Sequence, residues 1–272
     1  MGLAETKWML RTFRITPNKL LGQNFMVEPS FYSKLIEYAT INRGDVILDA
    51  GAGFGFLTKF LATKCKAVIA VEKDSRIVMA LRKQIRGLTN VTVVEGDVLK
   101  AALPEFQKVV AIPPYYLSSR LITWLLERKA ESSVLILQKE FANRFVASVG
   151  SEAYGWLTVI AAHDMKVELF DEVPKTLFYP RPEVDSVIVR LTPWETEPFN
   201  VNNTALFNRL VRWLFTQRNK KLGNALMSFF RCERQLCKTE AQKLSDAYSF
   251  SEKRTRDLTP REFGDLSNAV AQ

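Results

Sequence analysis

The stretch Asp45-Val46-Ile47-Leu48-Asp49-Ala50-Gly51-Ala52-Gly53-Phe54-Gly55-Phe56-Leu57-Thr58 joins a short aliphatic run to an apolar segment of helical length through glycines at alternate positions. Val46 to Leu48 suit a buried strand. The glycines let the chain turn tightly into a helix and bring bare backbone against a ligand. A strand, a glycine turn and a helix in that order open a βαβ unit, so the surrounding chain is expected to repeat the alternation.

It does. Strand-like runs recur at Ala67–Val71, Val91–Val94, Lys108–Ala111 and Val134–Leu137, each short and mostly rich in β-branched residues. Helix-length segments lie between them at Phe56–Cys65, Ser75–Gly87 and Ser118–Lys129. Such alternation predicts an α/β fold, a mostly parallel sheet covered by helices on both faces. Two later strands, Lys166–Phe170 and Asp185–Leu191, flank the proline-studded "PKTLFYPRPE" and are expected to pair antiparallel at one edge. After the polar linker from Thr192 to Asn203 the strand patterns stop and short helices follow, the last capped by Thr259 and opened by Pro260. The expected division is an α/β domain over residues 1–195 and a small helical domain over 196–272.

Two acids sharpen the reading of the glycine turn. Glu72 ends the second strand, where a carboxylate grips ribose hydroxyls. Asp97 follows the third strand in "VVEGDVL", placed to accept from an exocyclic adenine amine. The glycine spacing is not the G-x-G-x-x-G that holds a pyrophosphate, and no P-loop lysine follows. An adenosine without phosphates fits better, which points to S-adenosyl-L-methionine.

A 47% hydrophobic and 25% charged composition is that of a globular protein, which excludes disordered and fibrous classes. No apolar run approaches a membrane span, and the N-terminus lacks the apolar core of a signal peptide, so a cytoplasmic monomer without membrane contact is expected. Cys65, Cys232 and Cys237 fit no zinc framework and are expected to be reduced thiols; the single histidine, His163, is expected to be structural, and no metal is expected. The net charge of +9 suggests a polyanion as partner. In "RLVRWLFTQRNKK", Arg209, Arg212, Arg218, Lys220 and Lys221 occur without an acid. A solvated amphipathic face and a surface laid against RNA phosphates both fit that pattern.

The fourth strand delivers Ile112-Pro113-Pro114-Tyr115 to the same sheet end as the glycine turn and both acids. An adenine N6 amine is a poor nucleophile because its lone pair is delocalised into the ring. Carbonyl oxygens that accept its protons favour the pyramidal geometry needed for attack on a sulfonium methyl. The Pro113 carbonyl can be one such acceptor, Pro114 stiffens the turn, and Tyr115 offers a ring on which a flipped base can stack.

Taken together the motifs resemble those of the rRNA adenine N6-dimethyltransferase family (the KsgA/Dim group) from about Lys19 to the C-terminus. "KLLGQNFMVEP" is similar to the family's opening segment, which implies that Gln23, Asn24 and Met26 touch the cofactor. The resemblance implies a cofactor site completed by Gly51, Gly53, Glu72, Asp97, Val98, Ala111 and Ile112. "FYPRPEVDS" resembles the family loop in which Phe178 would be the second aromatic wall around the target base. "LQKEFANRF", "YGWLTV", "FTQRNKKLGNAL" and "RTRDLTPREFGDL" are similar to the remaining signatures. The resemblance implies a Rossmann-like S-adenosylmethionine-dependent methyltransferase domain with a small α-helical, RNA-binding C-terminal domain. The implied substrate is a small-subunit rRNA hairpin with two adjacent adenines.

The chain departs from the family at one site position: Ile112 stands where the family has asparagine, and isoleucine neither donates nor accepts a hydrogen bond. Losing that contact costs about 1–3 kcal/mol, roughly ten- to more than a hundredfold in rate. A working enzyme slowed by Ile112 and a disabled one acting as a ribosome-assembly binder both fit. Intact cofactor positions favour the first. A large-subunit, resistance-type methylation fits the C-terminal motifs less well.

Overall fold

A computed structural model describes residues 2–18, 22–128, 130–248 and 250–271. Of the segments named above, Lys19, Leu20 and Leu21 at the start of the family resemblance and Lys129 at the end of a helix lie outside the described residues. The elements run α1 (Leu3–Thr12), β1 (Phe25–Met26), α2 (Ser30–Tyr38), β2 (Val46–Ala50), α3 (Phe56–Ala62), β3 (Ala67–Glu72), α4 (Ser75–Gln84), β4 (Val91–Glu95) and β5 (Lys108–Ala111). They continue as α5 (Ser118–Arg128), β6 (Ser132–Gln138), α6 (Lys139–Asn143), α7 (Trp156–Asp164), β7 (Met165–Val173), β8 (Phe178–Tyr179) and β9 (Ser186–Pro193). The rest is helical: α8 (Thr204–Phe215), α9 (Leu222–Glu233), α10 (Lys238–Asp246) and α11 (Pro260–Val270).

The chain forms two compact units, one of residues 1–142 and 167–193, the other of residues 143–166 and 194–272. In the first, the sheet order is β4-β3-β2-β5-β6-β9-β7. Strands β2 to β6 pair in parallel, and β9 returns antiparallel to β6 with Ile136 opposite Ile188. The late strands β7 and β9 are neighbours at one edge, where the sequence places them. Val109, Val110, Leu135 and Ile136 are fully buried, because helices cover both faces of the parallel strands. The order of strands reverses between β2 and β5. Loops leaving the carboxyl ends of these neighbours diverge and leave a crevice, the usual ligand position in such sheets. A two-stranded ribbon, with Phe25 opposite Tyr179 and Met26 opposite Phe178, lies apart from the large sheet.

The second unit is built of α7 to α11 with their connecting turns. It takes residues 143–166, which differs from a break near residue 195. Helix α7 explains the difference: Leu157, Val159, Ile160 and Ala161 are all buried, so nearly every side needs an apolar partner. Its neighbours supply them. Tyr154 is fully buried and its hydroxyl donates to the Leu258 carbonyl at 2.6 Å. The Arg212 guanidinium lies 3.9 Å from the Trp156 ring centre. His163 packs against Phe199 and Phe207, with Nδ1 2.6 Å from an Asp164 oxygen. At the far end Thr259 and Glu262 form a capping box around Pro260. Among the described residues, no helix is long and apolar enough to cross a membrane.

Candidate active site

The crevice at the β2/β5 switch is an open cleft of about 680 Å3, solvent at its mouth included. Gln23, Asn24, Gly51, Gly53, Glu72, Asp97, Val98, Ile112 and Pro114 line it, so most of the site residues read from sequence meet in one place. Met26 borders the adjoining pocket, which Ile112 also lines. Ala111, Pro113 and Phe178 do not line the cleft; Pro113 is buried between the lining residues Ile112 and Pro114. Ala111 is fully buried in β5 opposite Leu135, and Phe178 is 4% exposed within the apolar core. Tyr115 is half-buried beside the cleft, and its hydroxyl pairs with Ser186 Oγ at 2.6 Å. Burial pushes its phenol up, so the ring stays neutral and anchored.

The glycine turn has the predicted form. Gly51 and Gly53 have φ of +84° and +56°, left-handed backbone that glycine adopts without strain. A Cβ on Gly51 would lie 2.8 Å from Pro114 Cδ, so the absence of a side chain lets the two loops close on each other.

Glu72 is held by its surroundings. One carboxylate oxygen accepts from Gly53 N at 3.0 Å and the other from Lys73 N and Asp74 N at 2.8 and 2.9 Å. Burial pushes its carboxyl up while these three amides pull it down. Asp74 is itself capped: it accepts from the Arg76 side chain and from Gln23 Nε2 at 3.1 Å, which holds its carboxyl low, near 2. Asp97 accepts from Leu99 N and faces Lys73 Nζ at 3.5 Å. With Glu72, Asp74 and Asp97 on its walls, the cleft suits hydroxyl and amine donors and a cationic sulfonium, and repels a polyphosphate. These residues therefore fit S-adenosyl-L-methionine.

At the Pro-Pro-Tyr turn, the Pro114 carbonyl accepts from Leu117 N at 2.9 Å. The Pro113 carbonyl accepts nothing among the described residues; Pro113 is itself buried, between the cleft-lining Ile112 and Pro114 in the chain. Two further residues were not singled out from sequence. Tyr116 lines the cleft with 47% of its surface exposed, and only its adjacency to Tyr115 signalled it. Asp49 is fully enclosed below the turn, accepts from Thr58 Oγ1 at 2.6 Å, and has its carboxyl pushed up to about 7 by burial. Its signal was an acid placed two residues before the first glycine.

In the second unit the five expected RNA-facing cations all have partners. Arg218 donates to the carbonyls of Ser151 and Glu152 at 2.9 Å each, and Arg212 covers Trp156. Lys221 pairs with Glu252 at 2.6 Å, Lys220 donates to Gln217 Oε1, and Arg209 lies 3.7 Å from Glu233.

The residue pattern of the family described as ribosomal RNA adenine dimethylase matches residues 15–259. The Enterococcus faecalis protein named ribosomal RNA small subunit methyltransferase A is 36% identical over 98% of this chain and 95% of its own length. The crystal structure of a dimethyladenosine transferase from Plasmodium falciparum superposes with a TM-score of 0.74 at 29% identity, covering 91% of this chain and 96% of the other. The 23S rRNA methyltransferase ErmE follows at 0.65 and 25% identity, with 91% and 100% covered.

Proposed function

Because the chain belongs to the ribosomal RNA adenine dimethylase family, we propose that it transfers methyl groups from S-adenosyl-L-methionine to the N6 atoms of two adjacent adenines in a small-subunit rRNA hairpin. The observation that carries this reading is the convergence at one sheet end of an acid-walled cleft and the Ile112-Pro113-Pro114-Tyr115 turn, of which Ile112 and Pro114 line the cleft. A small-subunit target is favoured because the 36% identical relative bears that name over nearly its whole length.

Glu72 and Asp97 would hold the ribose and the adenine amine of the cofactor, with the Gly51–Gly53 turn and Val98 against its flat faces. The bound cofactor supplies an electrophilic methyl on a sulfonium. The target base enters beside Tyr115, whose ring is fixed through Ser186. The Pro113 carbonyl accepts from the N6 amine and draws it toward a pyramidal geometry, which exposes the lone pair. Ile112 contributes shape and water exclusion but no hydrogen bond, so catalysis proceeds more slowly than with an amide there. The second unit holds the RNA through phosphate and shape contacts while one base is flipped out. The protein works as a cytoplasmic monomer on the assembling small subunit.

The test is methyl transfer from labelled S-adenosylmethionine to under-methylated small ribosomal subunits. Transfer to adenine N6 of the small-subunit RNA is expected. Absence of transfer by the wild-type chain, alongside transfer by an Ile112→Asn variant that binds the same RNA, would make the chain a binder with a disabled site.

A further inference from the structure

Lys7, Arg11 and Arg14 converge with Tyr179 around a wide, shallow basin of about 870 Å3, open solvent included, with Leu10 and Ile15 on its floor. All of these residues belong to the sheet-bearing unit. None of the three cations has a carboxylate partner among the described residues, whereas every cation of the Arg209–Lys221 stretch is already engaged. The Lys7 ammonium lies 5.2 Å from the Tyr179 ring centre. Arg14 has φ +50°, a left-handed backbone that a residue with a side chain adopts only at a cost, and such positions gather at binding sites. The basin also adjoins the cleft: Tyr179 stands opposite Phe25 in the β1–β8 ribbon, and Phe25 lines the cleft.

We infer that this basin holds the phosphodiester backbone of the RNA strand next to the target nucleotide, an inference that rests on the methyl-transfer reading above. Three cations without a carboxylate partner around an open basin suit the successive phosphates of a strand. Guanidinium groups meet phosphate oxygens in paired hydrogen bonds, and the Tyr179 ring holds the Lys7 ammonium beside them. A strand anchored here passes directly to the cleft, so the basin would fix which nucleotide reaches Tyr115.

The experiment measures binding of the target rRNA hairpin without cofactor across a salt series, for the wild-type protein and two variants. The first is Lys7→Ala/Arg11→Ala/Arg14→Gly, in which glycine suits the left-handed backbone. The second, Arg11→Gln/Arg14→Gly, leaves half-buried Lys7 in place should the triple variant fold poorly. Expected is a slope of log affinity against log salt shallower by about 2 in the triple variant and about 1.4 in the double, at roughly 0.7 per phosphate contact. Affinity for S-adenosylmethionine should be unchanged. Wild-type slopes in both variants overturn the proposal. Inorganic phosphate titrated in parallel separates the sources: saturable binding lost in the triple variant, with an unaltered RNA slope, assigns the basin to a free anion instead. Methyl transfer by the wild-type protein is scored alongside. Transfer with unaltered slopes faults the basin alone; shallower slopes without transfer support the basin and fault the methyl-transfer reading.

Discussion

Gly51 and Pro114 close on each other across the switch between β2 and β5: a Cβ on Gly51 would lie 2.8 Å from Pro114 Cδ. The glycine turn and the Pro-Pro-Tyr turn are thereby one mechanical unit, each setting the position of the other. Gly51→Ala should cost about 1–2 kcal/mol for the left-handed backbone alone, with a further loss as Pro114 is displaced. Urea unfolding will read the stability change, and calorimetry should show weakened S-adenosylmethionine binding. Unchanged values for both would mean that the two turns are independent.

Ile112 lines both the cleft and its adjoining pocket, which is where the proposed methyl transfer would take place. Ile112→Asn restores a carbonyl acceptor there. Single-turnover transfer should speed up by roughly ten- to a hundredfold, equivalent to about 1–3 kcal/mol. A slower variant would show that apolar packing at this position outweighs the missing hydrogen bond.

Asp49 is sealed below the glycine turn with its carboxyl pushed up to about 7 by burial, against a single hydroxyl donor from Thr58. The folded state therefore binds its proton more tightly than the unfolded state. That contribution to stability is complete below the unfolded value near 4 and is lost as pH rises through about 7. Asp49→Asn removes the penalty. The variant should gain on the wild type between pH 4 and 8, by up to about 4 kcal/mol. Parallel stability–pH curves for the two proteins would show that Asp49 titrates normally.

How much of this was legible in the sequence depended on whether the signal was local. The strands from β2 to β6 stood out because β-branched runs broken by polar or glycine residues are local, and Glu72 and Asp97 followed from their place after strands. Phe178 looked like a site wall from its motif, yet it is buried opposite Met26, because burial depends on which distant strand it meets. Helix α7 is apolar on nearly every side, and such a helix does not announce its partners, so residues 143–166 could not be grouped with the C-terminal helices from sequence. Lys7, Arg11 and Arg14 form no motif in the sequence, and only the fold sets Tyr179, far along the chain, beside them.

Arg218 holds two backbone carbonyls in addition to its proposed contact with RNA. Its guanidinium ties the Ser151 and Glu152 carbonyls to the turn after α8. Arg218→Ala should lower stability by about 1 kcal/mol as well as weaken RNA binding. Lys220→Ala, which loses only an exposed contact to Gln217, should weaken RNA binding with no change in melting temperature. Equal melting temperatures for the two variants would remove the structural role of Arg218.

Glu72 offers the most direct test of the cofactor site, because the carboxylate is both wall and anchor. Its two oxygens take three backbone N–H groups, from Gly53, Lys73 and Asp74, and the glycine turn is thereby tied to the end of β3. Any substitution with a donor on either side must face at least one of those N–H groups. Glu72→Gln, though equal in size, places its NH2 against Gly53 N or against Lys73 N and Asp74 N, whichever way the amide turns. It should therefore weaken S-adenosylmethionine binding nearly as much as Glu72→Ala, by tenfold or more, about 1.4 kcal/mol. Glutamine tolerated at wild-type affinity, with alanine still defective, would mean that size alone matters and that no carboxylate grips the ribose. Full affinity in both variants would move the cofactor away from Glu72 altogether.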